Sequence, residues 1–146
     1  MLLALPGYLK IVRASAAYDL LLTSPFATPW TFALAHQWLS ALNQSLGGAP
    51  LPPFAPIHTL LACLLGSSVV VWSLLRLINP QLSLGRADAA GRLVFALWMA
   101  WALAQGGVPI LWGYLVPELA LAAALLLPVA SATSRLLPSA APASRC

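Results

Sequence analysis

The sequence predicts an all-α integral membrane protein, a four-helix bundle with an additional amphipathic interfacial helix between helices 1 and 2. The 146 residues are 61% hydrophobic and 7% charged, whereas about 25% of an average soluble domain is charged. A soluble fold of this size could not cover its surface with so few polar residues. Apolar runs approach the roughly 20 residues that cross a bilayer, and the few basic residues flank these runs, as topology signals do.

The first predicted crossing is residues 11–26, which is short for a span and ends in the stretch SPFATPW. The prolines of that stretch remove backbone donors and stop a helix. Ser15, Asp19 and Thr23 recur at four-residue spacing, so a helix places them in one polar stripe. We expect this stripe to face other helices and not lipid. The stretch before it lacks a positive charge ahead of its apolar core, unlike a secretory signal, so the N-terminus is expected to remain in the mature protein.

An amphipathic helix is predicted for residues 30–46, where aromatic and aliphatic residues mix with His36, Gln37 and other polar side chains. The following Gly47-Gly48 and the proline-dense linker end it. An interfacial position suits this pattern, although the segment has none of the Lys and Arg that favour anionic lipid. The alternative is one long proline-kinked crossing over residues 11–46.

The second crossing is predicted for residues 57–78 and the third for residues 89–105, with the polar stretch QLSLGRADAAGR connecting them. Small side chains lie on one face of each helix and permit close helix approach. These helix-packing candidates are Ala62 and Gly66 on the second crossing and Ala96, Ala100 and Ala104 on the third. Asp88 and Arg92, four residues apart at the start of the third helix, are predicted to form an exposed ion pair.

The fourth crossing is predicted for residues 108–129, with Glu118 near its middle, roughly 15 Å from either face. A charge at that depth costs about 2.5–3.5 kcal/mol on insertion scales, so Glu118 needs a proton, a partner or a cavity. Pro117 frees the Gly113 carbonyl as an acceptor nearby and kinks the helix. Tyr114, one turn earlier on the same face, is a candidate donor to Glu118, and Arg92 is the alternative.

Positive charges place both termini in the cytoplasm of a bacterial-type inner (plasma) membrane. With four alternating crossings, all seven Lys and Arg residues fall on one side. Residues 1–130 then form a single transmembrane domain, and residues 131–146, rich in Ala, Ser and Pro, form a flexible tail. Cys63 and Cys146 have no metal-site or disulfide spacing and are interpreted as bystanders.

Two functional interpretations of the acidic residues remain open. In one, Asp19, Tyr114 and Glu118, with or without His58, line a cavity for a proton, an amphiphilic ligand or a quinone-like head group. In the other, Glu118 is protonated or hydrogen-bonded and only fixes helix packing. His58 lies near the outer start of its helix, where an interfacial role is the simpler explanation. No catalytic residue, metal ligand set or cofactor is identified, and the basic residues are not clustered as in nucleic-acid-binding proteins.

The layout resembles the DoxX-like group of small bacterial four-helix membrane proteins. The shared features are chain length, four short-looped crossings, Tyr18-Asp19 in the first helix, the charged Gly85-Arg86 to Gly91-Arg92 connection and Pro117-Glu118. This resemblance covers most of residues 10–130 and implies a compact helical bundle, often an accessory to quinone-linked oxidoreductases. It assigns no catalytic residue.

The sequence therefore favours a non-enzymatic accessory or scaffolding subunit, which packs on a membrane protein partner or a second copy through its small-residue faces. The alternative is a carrier or binding protein for a proton-linked or amphiphilic ligand, held in a cavity between Asp19 and Glu118. The lipid bilayer is the expected surrounding in both cases.

Overall fold

A computed structural model describes residues 2–130, in which the regular secondary structure is helical and one isolated bridge joins two extended residues. The predicted tail at residues 131–146, with Cys146, lies outside the described residues. The five α-helices are α1 (Leu5–Thr23), α2 (Pro29–Ser45), α3 (Pro56–Ile78), α4 (Leu82–Ala104) and α5 (Leu111–Leu125). A single 3-10 turn, Ser24–Phe26, joins α1 to α2.

Proline sets the beginning of the first three helices. Pro6, Pro29 and Pro56 each lie in the first turn, where the missing N–H is not needed and the fixed φ suits a helix. At α2 the Thr28 hydroxyl also accepts a hydrogen bond from the Thr31 amide, which satisfies one of the free donors of the first turn.

The bundle consists of two helix pairs, α1 with α3 and α4 with α5, and α1 joins the pairs by packing on both α4 and α5. Tyr8, near the start of α1, donates to the Leu125 carbonyl at the end of α5. Gly85, near the start of α4, lies against the same tyrosine. Helix α4 therefore starts at the end where α1 starts, and α5 ends there.

On α3, Gly66 lies against Phe26 beyond the end of α1, whereas Arg76 reaches back to Asp19, so α3 runs antiparallel to α1 and the four directions alternate. A small core of Tyr8, Val12, Ala89 and Leu125 closes one end.

The helices α1 and α4 begin six and seven residues earlier than the predicted crossings at 11–26 and 89–105. The prediction for α4 was wrong because it treated the charges of QLSLGRADAAGR as a sign of a polar loop. In the structure, the Arg86 guanidinium donates to the carbonyls of Leu125 at 3.0 Å and Leu127 at 2.9 Å. Since those carbonyls end α5 without helical partners, the arginine caps α5 from within α4.

The last helix is shorter than the predicted crossing at 108–129. It spans 15 residues, about 22 Å at 1.5 Å per residue, because the chain leaves the helix to pair with the N-terminal segment. The Leu3 amide donates to the Pro128 carbonyl, and the Ala130 amide donates to the Leu3 carbonyl, each at 2.9 Å. The two ends of the described chain are thus tied together.

Two helices, α3 and α4, are long and apolar enough to cross a membrane by length and composition. Only 17% of the apolar window of α3 and 22% of that of α4 are buried within the described chain. Most of their apolar side chains therefore face outward.

A tight contact at Gly85 gives a test of this packing. A Cβ atom there would lie 2.5 Å from Tyr8 Oη and 2.8 Å from a Val12 methyl, so Gly85→Ala must move α1 away from α4. We expect a loss of about 1–3 kcal/mol in the free energy of unfolding in detergent. Gly91→Ala on the same helix is the control, because nothing lies within 4 Å of its Cβ position. Equal stability of the two variants would contradict the α1–α4 contact.

Candidate functional site

Every acidic residue of the chain lies in one buried cluster with two arginines. Asp19 from α1, Arg76 from α3, Asp88 and Arg92 from α4, and Glu118 from α5 are connected by five salt bridges. We call these five residues the ion cluster. It therefore draws its side chains from all four helices of the two pairs.

Arg92 is the centre of the ion cluster, since it binds all three carboxylates. Its Nη2 lies 2.6 Å from Asp19 Oδ1, its Nε 3.2 Å from Asp88 Oδ2 and its Nη1 2.9 Å from Glu118 Oε2. Only 2% of its side chain is exposed. A guanidinium presents five donors in a planar fork, which lets one side chain hold three helices at once.

Arg76 binds both aspartates from the opposite side of the bundle. Its Nη2 lies 2.6 Å from Asp19 Oδ2, and its Nη1 forms a salt bridge with Asp88. The guanidinium also lies over the Trp72 ring, 5.5 Å from the centroid. The side chain is fully buried, and its Nε has no acceptor among the described residues. Arg76 and Trp72, which both bind Asp88, tie α3 to α4.

Hydroxyl and indole groups complete the hydrogen bonding of Asp88 and of the two arginines. The Ser15 hydroxyl donates to Asp88 at 2.9 Å and accepts from Arg92 Nη2 at 2.8 Å. Trp72 Nε1 donates to the other Asp88 oxygen at 3.2 Å, and the Ser73 hydroxyl accepts from Arg76. Polar groups at these depths need such partners because each unpaired buried group costs free energy.

Helical spacing explains why these residues meet. Ser15 and Asp19 stand four apart on α1, and so do Asp88 and Arg92 on α4, so each helix presents both groups on one face. The stripe predicted on the first helix does face other helices, with Ser15 and Asp19 buried. Thr23, the third member, instead donates to the Asp19 carbonyl within α1.

Glu118 occupies the edge of the ion cluster. The only hydrogen bond of its carboxylate within the described part of the chain is the one from Arg92, and 14% of its side chain is exposed. Tyr114, the predicted donor, does not hydrogen-bond to Glu118. Of the alternatives that the sequence left open for this acid, the structure shows the contact with Arg92.

The pair of Asp88 and Arg92 lies 3.2 Å apart, but both side chains are buried, whereas the sequence suggested an exposed pair. The physical reason is that α4 begins before them, at Leu82, and carries both groups into the bundle. His58 lies far from the ion cluster. It precedes Arg76 on the same helix by about 27 Å of rise, is exposed, and packs edge-on against Phe54 at 6.0 Å.

The predicted helix-packing residues separate into two groups. Gly66 is buried against the backbone of Phe26, where a Cβ would lie 2.7 Å from the carbonyl carbon, and Ala96 is 4% exposed. Ala62 is half-buried, whereas Ala100 and Ala104 are exposed. The face of α3 near Gly66 therefore packs within the chain, whereas the face of α4 that carries Ala100 and Ala104 is not covered by the described residues.

Sequence reasoning missed Arg76, Trp72 and Ser73 as site residues. Arg76 was interpreted only as a charge flanking a crossing, because it lies two residues from the end of its helix. A usable signal was present: three acidic side chains in such an apolar chain need buried cations as partners. Two of the seven basic residues used for the topology prediction, Arg76 and Arg92, are in fact core residues.

A second polar contact lies at the opposite end of the bundle. Buried Asn43 on α2 accepts a hydrogen bond from the Ile110 amide at 3.1 Å and donates to the Ala49 carbonyl at 2.8 Å. It joins α2 and its linker to the turn between α4 and α5. Nearer the start of α2, an open groove of about 270 Å³ runs between Phe32, His36 and Phe54, with His36 Nε2 held at 3.0 Å from the Pro52 carbonyl.

The Ser15 hydroxyl beside the ion cluster is engaged by Asp88 and Arg92. Within residues 2–130, no group of three His, Cys, Asp or Glu side chains is placed to hold a metal ion. Comparison with protein-family models, curated proteins and solved structures finds no match for this chain. The geometry itself is therefore the basis for any functional statement.

The pairing of Asp19 leads to a stability prediction. Asp19→Asn keeps the shape of the side chain but removes a carboxylate that both arginines bind. Asp88 and Glu118 remain as counter-ions, so the cost is that of losing two charge-assisted hydrogen bonds in a buried site. We expect the free energy of unfolding to fall by about 1–3 kcal/mol, measured by thermal or denaturant unfolding in detergent.

Lys10→Gln is the control for a change of one charge. Lys10 lies on the same helix but is exposed, so we expect a change within about 0.5 kcal/mol. A loss of similar size in both variants would show that α1 responds to net charge and not to the ion cluster.

Proposed function

We propose that this chain is a small multi-pass membrane protein that acts as an accessory or scaffolding subunit of a larger membrane complex. The observation that carries the proposal is a contrast within the molecule. All three carboxylates are used internally by two buried arginines, while the long apolar helices leave most of their surface uncovered. Such a chain has little chemistry to offer and much apolar surface to place against lipid or protein.

The outward side chains of α3 and α4 support a lipid environment. Soluble monomers rarely expose contiguous apolar patches larger than a few hundred Å². Here, residues that are more than half exposed recur along both helices; they include Ile57, Leu60, Leu61, Leu64, Leu65, Val71, Leu97, Trp98 and Trp101. An inward-facing polar cluster with an outward-facing apolar surface is the arrangement expected in a bilayer.

The exposed face of α2 supports an interfacial position for that helix. Trp30, Leu34 and Trp38 recur every four residues and are 79%, 68% and 68% exposed, so they form one apolar stripe. The opposite face holds Phe32 and Asn43 against the rest of the bundle. Tryptophan is enriched at the level of lipid head groups, where such a stripe would lie.

The alternating helix directions support four crossings, with α1 and α5 completing the spans that α3 and α4 begin. The α1 helix is about 28 Å long at 1.5 Å per residue, and the extended residues after α5 continue its path to the tied ends. Lys10 and Arg13 are exposed near that end, which favours the cytoplasmic side of an inner membrane. The resemblance to DoxX-like proteins stays a prediction.

The open part of α4 is the proposed contact with a partner. Ala100 and Ala104 are exposed one turn apart, and small residues let a helix of another subunit, or of a second copy, approach closely. Gly66 and Ala96, predicted for the same role, already pack within the chain, so they are not part of the proposed surface.

A second candidate is a carrier or binding protein for a proton-linked or amphiphilic ligand at Asp19 and Glu118. It is favoured by the position of Glu118 at the edge of the ion cluster, with one partner and partial exposure. In that case Glu118→Gln abolishes transport or binding while assembly survives.

Ala100→Leu tests the scaffolding function. The added bulk on an exposed face should spare the fold but cost about 1–3 kcal/mol at a packed interface, which corresponds to an affinity for the partner that is weaker by roughly 5-fold to 150-fold. The measurement is the size of the tagged chain in native gels of solubilised membranes. Ala123→Leu, an exposed alanine of α5, is the control and should assemble normally.

If Ala100→Leu assembles normally and Glu118→Gln loses transport or ligand binding, the results would favour the carrier function instead.

Topology is tested by single cysteines in a chain that carries Cys63→Ser and Cys146→Ser. We expect Leu2→Cys and Ala130→Cys to react with a membrane-impermeant maleimide from the same side, because the two ends pair through Leu3, and Ala49→Cys from the opposite side. Labelling of all three from one side would contradict four crossings.

A further inference from the structure

We propose that the ion cluster is a binding site for one proton, which Glu118 carries while Asp19 and Asp88 stay ionised. This inference goes beyond the scaffolding function and does not depend on it, because it follows from the charges and contacts of the cluster alone.

The ion cluster contains more acidic than basic side chains. Two guanidinium groups face three carboxylates, so the cluster holds one negative charge in excess when every group is ionised. The other cations of the described chain do not balance it. Arg86 is bound to the carbonyls that end α5, and Lys10 and Arg13 are exposed on α1. A buried charge without a partner is costly, and a carboxylate avoids that cost by taking a proton.

Hydrogen-bond donors are distributed unequally among the three carboxylates. Asp19 is held by both arginines. Asp88 is held by both arginines and also receives hydrogen bonds from Ser15 and Trp72. Glu118 receives one hydrogen bond, from Arg92. Donors favour the ionised form of the acid that accepts them, so the proton belongs on the acid that has fewest.

The surroundings of Glu118 agree with this assignment. Its charged and titratable neighbours are Tyr18 and Asp19 on α1, Asp88 and Arg92 on α4, and Tyr114 on its own helix. The two aspartates repel an ionised Glu118, Arg92 attracts it, and the two neutral phenols add no charge. Since Arg92 is shared with both aspartates, its single positive charge is already balanced.

The protonation step needs no other reactant than water. A proton from solvent bonds to one oxygen of the Glu118 carboxylate, while Oε2 continues to accept from Arg92 Nη1. The side chain is 14% exposed, so the carboxyl group is not sealed inside the bundle. Pro117 offers no N–H to the Gly113 carbonyl, which leaves that carbonyl free as an acceptor one turn of backbone away.

The sequence provides a direct spectroscopic test, because Glu118 is the only glutamate in the chain. The full-length protein is labelled with carboxyl-¹³C glutamate, reconstituted in vesicles and examined by infrared spectroscopy at neutral pH. We expect a protonated carboxyl band that shifts with the label, corresponds to one proton per chain, disappears as the pH is raised, and is absent in Glu118→Gln. A folded protein with only a labelled carboxylate band at neutral pH would overturn the proposal.

A second variant tests the charge count itself. In Asp88→Asn two cations face two carboxylates, so Glu118 is needed as a counter-ion and its protonated band should be lost at neutral pH. Persistence of the band in a folded Asp88→Asn variant would overturn the count. Native gels of the wild type and of Ala100→Leu, run in parallel, report on the scaffolding function separately, so a failure of one proposal can be told from a failure of the other.

Discussion

The structure depends on one constraint: a charged side chain that is buried away from water must pair with a side chain of opposite charge. Arg92 meets that constraint for three helices at once, and Arg76 brings in the fourth. The apolar core shared by the helix pairs is small, so helix orientation is fixed more by directional polar contacts than by interlocking aliphatic side chains. Buried ion networks of this kind often contribute more to a unique arrangement of helices than to net stability. Here they also explain why charged residues could be placed inside such an apolar chain.

Much of the fold could be predicted from the sequence because long elements carry strong signals. The apolar run of residues 57–78 agrees with α3 to within one residue, and the aromatic amphipathic pattern of residues 30–46 does the same for α2. The errors lie where tertiary contacts override local polarity. Arg86 was interpreted as part of a polar loop, whereas it lies inside α4 and caps the end of α5. The length of α5 was overestimated because the sequence around residues 128–130 carries no signal that they pair with Leu3.

The candidate site could be predicted only in part, and for a related reason. Asp19 and Glu118 stood out as acids within apolar segments, and the contact between Asp88 and Arg92 follows from helical spacing. The role of Arg76 could not be recognised in this way, because its partners lie 57 residues away or more on α1 and 12 residues along on α4. A cation close to a helix end looks the same in sequence whether its long side chain extends outward to head groups or inward to a carboxylate.

The separation of these partners along the chain has a consequence for biosynthesis. Asp19 leaves the ribosome 57 residues before Arg76 and 73 residues before Arg92, and Tyr8 precedes its acceptor on α5 by 117 residues. During that interval Asp19 has neither of its two arginine partners. A chain that ends before Arg76 cannot form any salt bridge of the ion cluster, and one that ends between Arg76 and Asp88 can form only the bridge between Arg76 and Asp19.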